Sequence, residues 1–217
     1  MTLLEFASGP ALQWSLWIFV FGVTWRIVGA VFLMAKKDLS RARHKKNLSD
    51  GVRTMLSRSI PAHAFEKRIR FQHISGYAWH LALFVSVLFF APHILFFESL
   101  LGFSWPHLPN TIILFTAAIA TGVLIALLIR RATHHVQRFI SNADDYISIV
   151  VVLVPLITGI LAFAHIGGRY ETLLAIHLLS VEAMFIWFPF GKLMHTAMTF
   201  PSRYQAGTSF GRRGVKA

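Results

Sequence analysis

Leu173 to Met198 reads LLAIHLLSVEAMFIWFPFGKLMHTAM, and only Glu182 and Lys192 interrupt it with charge. A run this long and this apolar predicts a membrane-spanning helix. Two histidines, His177 and His195, stand eighteen residues apart within it. On one continuous helix that interval is five whole turns, so both imidazoles leave from the same face. They are then separated by about 27 Å at roughly 1.5 Å per residue, against a hydrocarbon core about 30 Å thick. One helix with a histidine near each membrane face suggests two metal centres stacked across a bilayer.

The rest of the chain agrees with a membrane setting. It has 217 residues, 55% hydrophobic and 14% charged, with a mean hydropathy of +0.59. The expected fold is all-α and integral to the membrane, a single domain over residues 1–217 with five spans. These cover about 11–35, 75–97, 111–129, 146–164 and 173–200. The first ten residues lack a basic leader, and the apolar run that follows is too long for a cleaved signal, so it reads as a retained helix. Cysteine is absent, which excludes iron–sulfur clusters, c-type haem attachment, disulfides and thiol catalysis within this chain.

A net charge of +12 would suggest nucleic acid in a soluble protein. Here the positive-inside rule accounts for it without one. The segment 36–72 carries basic residues from Lys36 to Arg70. The third-to-fourth connection adds Arg130, Arg131 and Arg138, and the tail adds Arg203, Arg212, Arg213 and Lys216. The opposite side holds only Arg169. The expected topology therefore has the amino terminus outside and the carboxyl terminus inside a bacterial or archaeal cytoplasmic membrane.

Of eleven histidines, four fall inside predicted spans: His80, His93, His177 and His195. Intramembrane polar groups are costly and usually functional. Without cysteine, paired histidines point to b-type haem. The second and fifth spans run antiparallel, which places His80 level with His195 near the inner face and His93 level with His177 toward the outer face. On an ideal helix, however, His93 lies about 140° round from His80. Pro92 removes a backbone hydrogen bond and is the residue that would turn His93 back. His73 is a spare on the face of His80. His44, His63, His134 and His135 read as solvated or interfacial.

These residues resemble the cytochrome b (gamma) subunit of respiratory nitrate reductase and the related membrane cytochromes b of sulfur-metabolism and heterodisulfide-reductase-like complexes. The resemblance rests on His177, Phe188-Pro189-Phe190, Lys192 and His195. It rests further on Trp79-His80, on Ala143-Asp144 with Gly159, and on Trp25-Arg26. It implies two b haems between the second and fifth spans, a quinol site near the outer haem, and an iron–sulfur or flavin partner docked inside. His80, His177 and His195 match the family ligand positions. Phe90 occupies the fourth, and His93 stands three residues beyond it.

Other membrane polar groups have candidate roles. Arg26 and Lys192 are placed to pair with haem propionates, or to snorkel to headgroups. Glu182 is a candidate proton carrier or a hydrogen-bonded interior carboxyl. At the outer rim Glu98, His107, His165, Arg169 and Glu171 offer acceptors for quinol protons. The best quinone-site candidates are Glu98, His165 and Arg169. The expected function is electron transfer between the quinone pool and a cytoplasmic iron–sulfur or flavin subunit. The alternatives are a single-haem membrane anchor and a histidine-based proton or solute transporter.

Overall fold

The computed structural model describes residues 1–33, 41–43 and 48–215. The readings that concern Ala35, Lys36, Lys37, His44, Lys45, Lys46 and Lys216 lie outside the described residues.

Every regular element among the described residues is helical. Helix α1 runs Leu3–Leu33, opened by a capping box in which Thr2 and Glu5 exchange hydrogen bonds. It passes through a π-turn at Ala7–Ala11 around Pro10. There follow α2 (Leu48–Ser57), α3 (His63–Leu88), α4 (Ala91–Leu101), α5 (Asn110–Thr133), α6 (His135–Phe139), α7 (Ala143–Ala164), α8 (Tyr170–Trp187) and α9 (His195–Arg212). Four helices, α1, α5, α7 and α8, are each long and apolar enough to cross a membrane, and α3 with α4 makes a fifth if the bent pair is one span.

Two expected helices are interrupted, both near a proline. The span expected over 75–97 is α3 followed by α4, bent by 69°. Pro92 has no N–H for the Leu88 carbonyl, and its ring would collide with that carbonyl in an unbroken helix. The chain therefore leaves the helix, takes an extended Phe90 (ψ 128°), and restarts with Pro92 in the first turn of α4. The span expected over 173–200 likewise stops at Trp187. Phe188–Gly191 make a turn, a 3-10 turn covers Lys192–Met194, and α9 begins at His195. His177 and His195 thus belong to different helices, and the five-turn register expected of one continuous helix does not apply to them.

The chain forms two compact units. The first comprises Met1–Leu16 and Phe71–Phe185. Within it α5 packs at close range along α7. Their connection is locked by Arg131, whose guanidinium meets the Asp145 carboxylate at 2.7 Å and the Ser141 hydroxyl at 2.9 Å. Asn142 caps α7 in a reciprocal box with Asp145, so one buried carboxylate serves both the ion pair and the helix start.

The second unit comprises Trp17–Arg70 and Ile186–Ala217. Here α2 packs on α9. Glycine permits the approach: a Cβ on Gly207 would fall 2.6 Å from Thr54, and one on Gly51 would meet the Tyr204 ring. In the same unit the Phe188 ring meets Phe19 edge-on at 5.0 Å. Pro189 is fully buried against Gly22, where a Cβ would lie 2.6 Å from the proline ring.

Candidate functional site

The break between α3 and α4 frees backbone carbonyls that, in a membrane, would each need a partner in the protein. Three consecutive carbonyls do. Val87 accepts from His93 Nδ1 at 3.0 Å. Leu88, the carbonyl that Pro92 deserts, accepts from the Trp105 indole at 2.7 Å. Phe89 accepts from the Leu108 amide at 3.0 Å. The break is thus closed by residues up to nineteen positions downstream, and His93 is part of the closure. Its ring is aimed by the bond that repairs the helix.

His177 comes to meet it from α8. The two imidazole centres lie 6.3 Å apart with planes 17° from parallel. Gly159 on α7 makes room for the ring, since a Cβ there would stand 3.0 Å from His177 Cε1. Thr158 Oγ1 lies 3.2 Å from His177 Nδ1. The hydroxyl is within reach of the Val154 carbonyl at 2.8 Å. Ser180 donates to the His177 carbonyl at 2.6 Å, and its oxygen lies 3.1 Å from that of Thr158. Phe90 packs edge-on against His93 at 5.1 Å and against Phe163 at 5.7 Å.

His93 therefore commits Nδ1–H to a carbonyl, which leaves its lone pair on Nε2, and His177 Nδ1 is held by the Thr158 hydroxyl. This is how metal-binding histidines are held: the second nitrogen is pinned so that the first faces the metal in one tautomer and one orientation. The ring separation fits the same purpose. Two imidazoles on opposite sides of one metal ion each place a nitrogen about 2 Å from it, and a ring radius on either side brings the centres to roughly 6 Å. Among the described residues no three of His, Cys, Asp and Glu converge as a metal site. Two imidazoles are the donor set that a b haem would take from the protein.

The other predicted residues are placed as follows. His80 directs Nδ1 to the Gly76 carbonyl and sits against Trp79. His195 directs Nδ1 to the Lys192 carbonyl at 2.8 Å and is exposed. His80 belongs to the first unit and His195 to the second. Arg26 and Lys192 are both exposed. His73 stacks edge-on with Tyr77 at 4.8 Å. Glu98 is exposed, His165 lies over Tyr170 at 4.9 Å, and Arg169 pairs with Glu171 at 3.7 Å. No hydrogen bond or ion pair joins Glu98, His165 and Arg169. Glu182 is 4% exposed, and its Oε1 has no hydrogen-bond partner among the described residues.

Thr158 went unnoticed in the sequence, and nothing there tied Trp105 to the Leu88 carbonyl. Each acts through a contact seventeen or nineteen residues away, which no local pattern announces.

No protein-family model matches the chain. It is similar to a protein of Nitratidesulfovibrio vulgaris described only as "Protein": 29% identical over 210 residues, covering 94% of this chain and 92% of the other. The likeness runs nearly end to end in both.

Proposed function

We propose that this chain is a membrane cytochrome b subunit that passes electrons between the quinone pool and an iron–sulfur or flavin partner at its basic face. The observation that carries the proposal is the His93 and His177 pair, facing at 6.3 Å with Nδ1 of each ring pinned. When bound, haem b supplies one-electron ferric–ferrous chemistry.

The chain's own residues do the positioning. His93 and His177 would hold the outer haem, with the Val87 carbonyl and Thr158 securing Nδ1 of each. His80 and His195, the ligands expected from the sequence for an inner haem, each direct Nδ1 to a backbone carbonyl, of Gly76 and of Lys192. Arg26 and Lys192 are the proposed propionate partners, since buried or interfacial carboxylates need cations. Glu98, His165 and Arg169 are the proposed polar rim of the quinone site, as bases for its protons. In this reading α3 and α4 form one bent span, giving five crossings. Helix α5 then ends and α7 begins inside, with the amino terminus outside, in a bacterial or archaeal cytoplasmic membrane. The motif likeness to nitrate reductase gamma subunits and their sulfur-metabolism relatives supports the same assignment.

The test is a reduced-minus-oxidised optical spectrum of purified protein made with ample haem supply, with haem counted per chain as its pyridine complex. Two b haems per chain are expected. One haem that survives His195→Ala but not His93→Ala would favour the single-haem anchor, because the two rings that face each other are those of His93 and His177. No haem would overturn the cytochrome reading in favour of a transporter.

A further inference from the structure

Two adjacent arginines end α5, and they are used differently. Arg131 directs one guanidinium nitrogen to both Asp145 and Ser141. Arg130, about 100° round the helix from it, meets no carboxylate among the described residues. Its guanidinium carbon lies 4.8 Å from the centre of the Phe71 ring, and its Nε is shielded from solvent with no hydrogen-bond partner. A cation that served only as a topology signal would extend its head into water or headgroups. Arg130 instead lies against an aromatic ring, at the side of a shallow, open cleft of about 440 Å³.

The cleft is lined by Phe71 of α3 and by Ala126, Ile129, Arg130, Thr133 and His134. The last five recur at intervals of three and four residues, so they form one stripe down the end of α5. The stripe changes character along its length. Ala126 and Ile129 are apolar and lie toward the middle of the span. Arg130, Thr133 and His134 are polar and lie at its basic end. The order matches an amphiphile that enters from the side, with chain against Ala126 and Ile129 and anion against Arg130. A basic pocket between membrane helices on the positive side is a known recipe for binding acidic lipid headgroups.

We infer that the cleft between Phe71 and the end of α5 binds the phosphate of an anionic phospholipid, with Arg130 as its cationic anchor and Ala126 and Ile129 as the floor for one acyl chain. The bound lipid supplies the acceptor that the Arg130 Nε–H lacks among the described residues. This site does not depend on the haem assignment.

The test is native mass spectrometry of the full-length protein after exchange into phosphatidylglycerol or phosphatidylcholine micelles. The wild type is expected to retain phosphatidylglycerol over phosphatidylcholine. Arg130→Gln should lower that retention roughly fivefold, as removal of one near-surface cation does. Ala126→Phe, which fills the floor without touching charge, should lower it as well. The exposed Arg138→Gln should leave it unchanged. Equal retention by Arg130→Gln, or an equal loss in Arg138→Gln, would overturn the site in favour of diffuse attraction to basic charge. Displacement of the lipid by millimolar glycerol phosphate would overturn the lipid assignment and make the cleft a site for soluble phosphate esters.

Discussion

The chain breaks a helix near proline twice, and the two breaks are finished differently. Beside Pro92 the freed carbonyls of Val87, Leu88 and Phe89 are taken by His93, Trp105 and Leu108. One is a histidine aimed at a second helix, and the others come from a distant loop. Beside Pro189 the repair is local. The amides of Phe190 and Gly191 both turn back to the Trp187 carbonyl, at 3.1 and 3.0 Å, and the proline ring is buried against Gly22. The first break is wired into its surroundings and orients a side chain. The second is a self-contained turn that redirects the chain. A proline in a membrane helix therefore becomes part of a site when other elements have to satisfy what it leaves open.

Removing His177 should have the largest effect. His177→Ala is expected to lose one b haem per chain by pyridine haemochrome, whatever else it does. Pro92→Ala should approach the same loss with every histidine retained. Restoring the helix withdraws the Val87 carbonyl from His93 and swings that ring about 140° away from the face of His80. Pro189→Ala should leave the haem held by His93 and His177 untouched. If Pro92→Ala and Pro189→Ala reduce haem equally, the distinction between the two breaks fails.

A subtler change sharpens it. Gly159→Val puts a side chain 3.0 Å from His177 Cε1 and displaces the ring without deleting it. Haem retention in a competition with apomyoglobin should weaken about 10–100-fold, the range for disturbed supporting contacts of metal ligands. Trp105→Phe is the mildest. It leaves the Leu88 carbonyl unsatisfied at a cost of about 1–3 kcal/mol, so the Tm should fall by several degrees while the haem count holds. A Tm equal to wild type would mean that water or lipid headgroups reach the break.

The membrane character and the positions of the apolar segments were legible because hydropathy and length act locally. Asn110–Thr133 and Ala143–Ala164 begin and end within three or four residues of the spans expected at 111–129 and 146–164. The pairing of His93 with His177 was legible too, by depth, together with the suspicion that Pro92 mattered. Two other features were not. The expectation of one helix over 173–200 ran straight through Phe188-Pro189-Phe190-Gly191, whereas the helix stops at Trp187 and these four make a turn. Apolar residues satisfy a hydropathy count in either state, so only the proline chemistry could have spoken against continuity. The contacts that hold the two rings were also hidden, since Thr158 and Val87 reach their histidines through folding and not through spacing.

Helix α1 has a length that matters on its own account. Its 31 residues extend to about 46 Å at 1.5 Å each, half as long again as a hydrocarbon core of about 30 Å. Leaning alone would have to exceed the tilts of up to about 40° seen for spans, so part of the rod stands clear of the lipid tails. The capping box at Thr2 and Glu5 and the π-turn around Pro10 occupy one end of that excess. A bilayer that thickens or thins changes how much of α1 is wetted.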